Sequence, residues 1–127
     1  MNKKVLKEIQ LLLGEVKNNN LKWKPEKGIE HLKKRKRRMH IPNDWTMKEY
    51  NKKIIEICKG LSHDAYLYYK EFFCQNFYVF GDQEWIVIIG ADSIIETAFP
   101  PDDYDKYLNE KDGYKYLGTI EEVLNHE

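Results

Sequence analysis

Between His31 and His40 the chain reads HLKKRKRRMH, two imidazoles enclosing six cations: Lys33, Lys34, Arg35, Lys36, Arg37 and Arg38. An imidazole has an ordinary pKa near neutrality, so it can take or give a proton at physiological pH. Neighbouring cations lower that pKa and favour the neutral form that a general base requires. Lys and Arg bind phosphate, Arg through two parallel hydrogen bonds. These residue types suit proton transfer at a phosphodiester. RNA carries its own nucleophile, the 2′-OH. Its cleavage needs a base for that proton, an acid for the leaving 5′-oxygen and positive charge at the phosphorane. Metal-independent cleavage of RNA is the leading expectation. A basic helix face that only binds is the competing one.

In this reading His31 is the general base or acid. His40 is the second proton carrier, or a turn residue ahead of Ile41-Pro42. Lys34 and Arg35 hold the scissile phosphate, while Lys33, Lys36, Arg37 and Arg38 follow flanking phosphates without reading sequence. Later in the chain, the Thr97 hydroxyl could donate to a phosphate oxygen, and Glu96 could serve as a carboxylate base. Strand alternation puts those two on opposite faces, so only one should reach a cleft. Tyr78 and Trp85 are candidates to stack a base, although aromatics at strand spacing equally build cores. The acidic, aromatic stretch 100–108 (PPDDYDKYL) reads as a solvated loop and helix, or as a contact surface for a neutralising partner. His63 and His126 carry no role. The four histidines show no metal-ligand spacing with cysteine, so neither a zinc site nor a cofactor is expected. Cys58 and Cys74, without a CxxC pair, read as buried free thiols.

The elements that must position these residues follow from length and pattern. With 127 residues, 42% of them hydrophobic, the chain is sized for one domain around one core. No apolar run is long enough for a membrane helix, and no signal peptide opens the chain. This suggests a cytosolic protein, or the excised end of a longer exported one. A net charge of zero conceals a split. Residues 22–59 hold 13 Lys/Arg against 5 Asp/Glu, a net of +8, and residues 60–127 hold 4 against 14, a net of −10. That asymmetry suggests a basic face for a polyanion.

Residues 3–17 alternate apolar positions at three- and four-residue steps and read as an amphipathic helix. Residues 1–21 are thus a helical arm or linker ahead of a single domain over 22–127. A second helix is expected over 28–39, with Ile29, Leu32 and Met39 facing inward. A third should run from Thr46 to Cys58. Asp44 is a candidate N-cap, Thr46 and Glu49 a candidate capping box, and Gly60 the stop. Its core stripe is Met47, Tyr50, Ile54, Ile57 and Cys58. From Ala65 the pattern turns aromatic and β-branched, giving strands at 65–73, 76–80, 85–90 and 94–99. The run Trp85–Ile89 should be a central strand buried on both faces. Turns fall at 81–83 and 91–93, and Pro100-Pro101 should end the sheet. Short helices are expected near Tyr104–Leu108 and Ile120–Leu124. The fold class is α+β, with N-terminal helices packed on a C-terminal antiparallel sheet.

Two segments together resemble a family. The first is His31, Lys34 and Arg35 (HxxKR) with Arg38 and His40, placed ahead of a helix. The second is the late hairpin WIVIIGADSIIETAFPP over 85–101, with its Thr97-Ala98-Phe99-Pro100 element. The arrangement is similar to the ribonuclease toxins of the barnase–EndoU–colicin–RelE superfamily, and it covers roughly residues 28–101. The chain departs from that pattern by the residues after Pro101 and by showing no delivery domain or pre-toxin motif. The resemblance implies a barnase/RelE-like fold and an endoribonuclease toxin acting on RNA, tRNA among the candidates, in a bacterial cytoplasm. It also implies catalytic roles for His31 and Thr97, a cognate immunity or antitoxin partner, and delivery as the C-terminal part of a secreted toxin. The alternatives are a non-enzymatic nucleic-acid-binding protein, or an immunity or antitoxin protein whose acidic half is its interface.

Overall fold

A computed structural model describes residues 1–70, 72 and 74–126. The chain is α+β. Helices α1 (Lys3–Lys17), α2 (Lys27–Arg37) and α3 (Met47–Lys59) come first, interrupted by a two-residue strand β1 (Lys22–Trp23). Strands β2 (Asp64–Lys70), β3 (Gln75–Gly81), β4 (Ile86–Gly90) and β5 (Ile94–Phe99) follow. A short α4 (Tyr104–Tyr107), a 3-10 turn (Glu110–Asp112), β6 (Tyr114–Thr119) and α5 (Ile120–Leu124) complete it. No helix among the described residues is long and apolar enough to cross a membrane.

Local chemistry sets the helix ends. The Asn2 side chain caps α1 by accepting from the amides of Lys4 and Val5. At α3 the N-cap is Thr46, not Asp44, and the Thr46–Glu49 capping box is complete. Gly60 ends that helix as expected. Helix α2 stops earlier than its pattern suggests. Met39 takes a left-handed φ of 57°. The turn it makes lets His40 N donate to Arg35 O at 2.9 Å. Met39 therefore points away from the core and is 89% exposed, and Ile29 is 52% exposed; of the three expected inward residues only Leu32 is buried.

The sheet has six strands in the order β1-β5-β4-β3-β2-β6. It is mixed rather than purely antiparallel, because β1 runs parallel to β5 through the pairs Lys22–Ile94 and Trp23–Ile95. Nor does it end at Pro100-Pro101: β6 returns to pair antiparallel with β2. Strand β4 is buried on both faces, as its unbroken apolar run predicts. The expected strand over 65–73 has described residues in β2 as far as Lys70, while positions 71 and 73 lie outside the described residues.

One face of the sheet carries the main core, where Tyr78, Phe80, Val87 and Ile89 meet Ile9, Leu12 and Val16 of α1, Tyr50, Ile54 and Ile57 of α3, and Ile120 and Val123 of α5. Helix α1 is thus part of that core. The opposite face has a smaller cluster, with Phe77, Val79, Ile86 and Ile88 under Tyr104, Leu108 and Tyr114. So little chain covers this second face that an open cleft of ≈ 710 Å³ remains beside it. Helix α2 lies against α3 and β5, at the sheet edge where the two faces meet.

Candidate functional site

Helix α2 is held close to the sheet by its second residue. A Cβ at Gly28 would stand 2.9 Å from both Trp23 Cγ and Met47 Cε, so only glycine allows this approach. The contact brings His31 against β5. His31 Nδ1 lies 3.3 Å from Thr97 Oγ1, a pair 66 residues apart in sequence. The His31 ring packs on Trp23 with centroids 5.1 Å apart, and Trp23 stacks on Tyr50 at 5.8 Å. Both supports are themselves anchored: Trp23 Nε1 donates to Asn51 Oδ1 at 3.0 Å, and Tyr50 OH donates to Ala98 O at 2.6 Å. The imidazole is therefore fixed from three elements, β1, α3 and β5.

A threonine hydroxyl can donate or accept, so it suits either His31 tautomer. When it accepts from Nδ1–H, the lone pair of Nε2 is left available as a base. Burial lowers the His31 pKa, and the charges of Arg35 and Lys34 lower it further, against the opposing pull of Glu96 and Glu30. Each of the lowering effects favours the neutral ring. It opens on a hollow of ≈ 400 Å³ lined by Glu30, Lys33, Lys34 and Arg37.

One helical turn on, Arg35 is only 4% exposed despite lying in the most basic stretch of the chain. Its guanidinium carbon sits 5.3 Å from the centroid of the Phe99 ring. Its Nη1 is 3.2 Å from His40 Nδ1. Arginine nitrogens can only donate, so His40 Nδ1 accepts and the neutral ring carries its proton on Nε2. Burial, Arg35 and Arg38 all lower the His40 pKa, with Asp102 opposing them. His40 is thus a neutral N–H donor, and Arg35 occupies the nitrogen through which it would gain a second proton. Arg35 Nε is buried and makes no hydrogen bond among the described residues. A buried donor left unpaired is costly, and an incoming anion would reduce that cost.

The structure thus gathers part of the expected set. His31, Lys34 and Thr97 converge, with Lys33 and Arg37 on the same hollow. Arg35 does not join Lys34 there; it faces Phe99 and His40. Arg38 is exposed at the helix end, and Lys36 is half-buried. Glu96 is exposed beside the register shift between Ile88 and Ile89, where strict alternation fails, so its charge still reaches His31 although Thr97 makes the contact. Tyr78 and Trp85 are not positioned to stack a base. They are 0% and 4% exposed, inside the main core, and Tyr78 OH donates to Glu8 Oε1 at 2.6 Å. His63 is structural, its Nδ1 2.7 Å from Ile57 O. Cys58 is buried, as expected, but Cys74 is exposed. No three His, Cys, Asp or Glu side chains among the described residues form a group that could hold a metal ion.

Sequence reasoning missed Trp23 and Tyr50, which orient His31, and Phe99, which carries Arg35. Trp23 precedes a Pro-Glu turn with no periodic neighbours, so no pattern singled it out. The half-buried aromatic rings packed against the small cluster, Tyr68 and Tyr107, were also missed. Comparison of the chain with protein-family models, with curated proteins and with solved structures gives no match.

Proposed function

We propose that the protein is a metal-independent endoribonuclease that cleaves RNA by attack of the 2′-OH on the adjacent phosphate. The observation that carries this reading is the contact between His31 and Thr97, which fixes a neutral imidazole at the mouth of a hollow rimmed by Lys33, Lys34 and Arg37. In this mechanism His31 takes the 2′-OH proton as the 2′-oxygen bonds to phosphorus, then returns it to the leaving 5′-oxygen as the P–O5′ bond breaks, leaving a 2′,3′-cyclic phosphate. The phosphate rests among the three cations, which stabilise the charge of the phosphorane. Thr97 orients the imidazole. Arg35 contributes its charge from beneath, and His40 donates a hydrogen bond from Nε2 without surrendering the proton.

The resemblance to ribonuclease toxins of the barnase–EndoU–colicin–RelE superfamily supports the same chemistry. It extends the proposal to a bacterial toxin that acts on cytoplasmic RNA, arrives as part of a secreted protein and is restrained by an immunity or antitoxin partner.

One observation favours a second reading, a nucleic-acid-binding protein without catalysis. The Arg35–His40 bond leaves a single imidazole able to exchange protons, where acid–base cleavage classically uses two. Incubation of the purified protein with total bacterial RNA in EDTA, beside His31→Ala, separates the two. Discrete fragments from the native protein alone support the enzyme. Intact RNA with both proteins, together with equal RNA binding, supports the binder.

A further inference from the structure

Another hollow, of ≈ 640 Å³, lies where α3 meets the sheet-edge strand β1. That volume suits a small molecule. Its floor is apolar, made by Leu21, Trp23, Ile55 and Ile95. Leu21, Trp23 and Ile55 pack against the main core but are only partly buried, so they leave apolar surface open to an occupant. Along α3 the lining recurs at three- and four-residue steps, through Lys48, Lys52, Ile55 and Lys59, because those positions share one face of a helix.

The rim has a sign. Three lysines stand there against one carboxylate, Glu56, and among the described residues none of these four charges is in an ion pair. At one end Lys48 and Lys52 lie a helical turn apart, with Asn51 beside them. Asn51 Oδ1 accepts from Trp23 Nε1 at 3.0 Å, which leaves its Nδ2 amine without a hydrogen-bond partner among the described residues. Two ammonium groups and an amide amine are donors only, and a carboxylate is an acceptor only. From Lys52 the helix rises ~10 Å to Lys59, with Ile55 between them.

We propose that this hollow binds a single-chain amphipathic carboxylate, of the fatty-acid class, with its head on Lys48, Asn51 and Lys52 and its chain over Ile55 and Ile95 toward Leu21. A membrane surface calls for apolar side chains that project, whereas these line a hollow. The head lies beside Trp23, whose ring packs on His31 with centroids 5.1 Å apart. One aromatic ring therefore separates the occupant from the imidazole. Neither the site nor this contact depends on RNA cleavage.

The test is calorimetric titration of the native protein with sodium decanoate below its micelle-forming concentration. Decanoate should bind one to one, about tenfold or more tighter than decanol or decyltrimethylammonium. Shortening the chain to octanoate and hexanoate should weaken binding about two- to fourfold for each methylene removed. Lys48→Gln with Lys52→Gln alters two exposed side chains and so keeps the fold; it should cost decanoate about tenfold and leave decanol unchanged. Ile55→Glu places a carboxylate on the floor and should abolish decanoate binding, with circular dichroism reporting the fold. In NMR spectra the Trp23 indole and His31 ring signals should move together as decanoate is added, while those of His126 stay in place. No binding, equal binding of the three decyl compounds, or a decanoate affinity that both variants leave unchanged overturns the proposal. Decanoate bound with the His31 signals unmoved overturns the placement of the head. If decanoate is inert but phosphatidylglycerol vesicles or polyglutamate bind and Ile55→Glu removes that binding, the hollow belongs to a membrane or an acidic protein, and the proposal falls. RNA cleavage is scored separately, and its absence defeats the ribonuclease reading alone.

Discussion

At the scale of single residues, the site depends on how neighbouring charges set the state of His31. Its pKa lies below the usual 6.5, first through burial and then through Arg35 and Lys34, while Glu96 and Glu30 pull the other way. A base works in its neutral form. The rate constant kcat/KM on an RNA oligonucleotide should therefore rise with pH through a midpoint below 6.5 and stay level above it. Two substitutions move that midpoint in opposite directions. Lys34→Met removes a cation, so the limb shifts up in pH, toward the unperturbed imidazole. Glu96→Gln removes an anion, so it shifts down. Lys34→Met also weakens phosphate binding, but that lowers the height of the profile and leaves its midpoint to report the imidazole. Measured profiles that move together, or a native limb above the ordinary histidine range, would show that His31 is not the base. His40 needs no such titration. With Arg35 donating to its Nδ1, His40→Ala should slow cleavage less than His31→Ala, because it removes a hydrogen-bond donor and not the proton acceptor.

At the scale of elements, the end of α2 decides where His40 sits, and it does so through a strained residue. Met39 holds a left-handed backbone at φ 57°, a conformation that costs an L-residue roughly 1–2 kcal/mol. Its side chain is exposed, so removal sacrifices little packing. Met39→Gly should relieve the strain and leave His40 beside Arg35. Chemical denaturation should show a gain of about 1 kcal/mol, reduced in part by the greater freedom glycine has in the unfolded chain. A loss of stability would mean that the Met39 side chain makes a contribution its exposure conceals. This turn also marks the limit of what the sequence discloses. The interiors of α1, α3 and β4 were legible, because their apolar periods run unbroken, and the Thr46–Glu49 box announced the start of α3. Strand β1 was not, since two residues cannot show a period. Strand β6 was not, since YKYLGT buries only Tyr114 and Gly118. The candidate site was legible in part. The structure brings together His31 and Thr97, which the sequence singles out separately, one for proton transfer and one for donation to a phosphate oxygen. The burial of Arg35 could not be read from a run of six cations, because only the position of Phe99 across the chain selects which of them turns inward.

At the scale of the whole molecule, zero net charge would suggest indifference to a polyanion. The distribution of charge says otherwise. The +8 of residues 22–59 includes the cations of α2 that line the hollow, while acidic residues such as Asp102, Asp103 and Asp112 rim the cleft on the sheet's second face. On the proposed reading, a strand of RNA approaching from solution would meet attraction along α2 and repulsion beyond the cleft, and the field would orient it with its backbone on the helix. The attraction is screened over roughly 8–10 Å at physiological ionic strength, which makes it a property of the few cations in contact. Each phosphate neutralised on a single strand contributes about −0.7 to the slope of log K against log salt. Replacement of Lys33, Lys36 and Arg37 together by Gln should therefore flatten that slope by about 2. Because these side chains follow the backbone and not the base, the loss should be the same for guanine-rich and guanine-free oligonucleotides. Fluorescence anisotropy across a salt series measures both quantities. An unchanged slope would remove α2 from the interface, and a loss confined to one base composition would mean that the helix reads sequence and does not merely hold the strand.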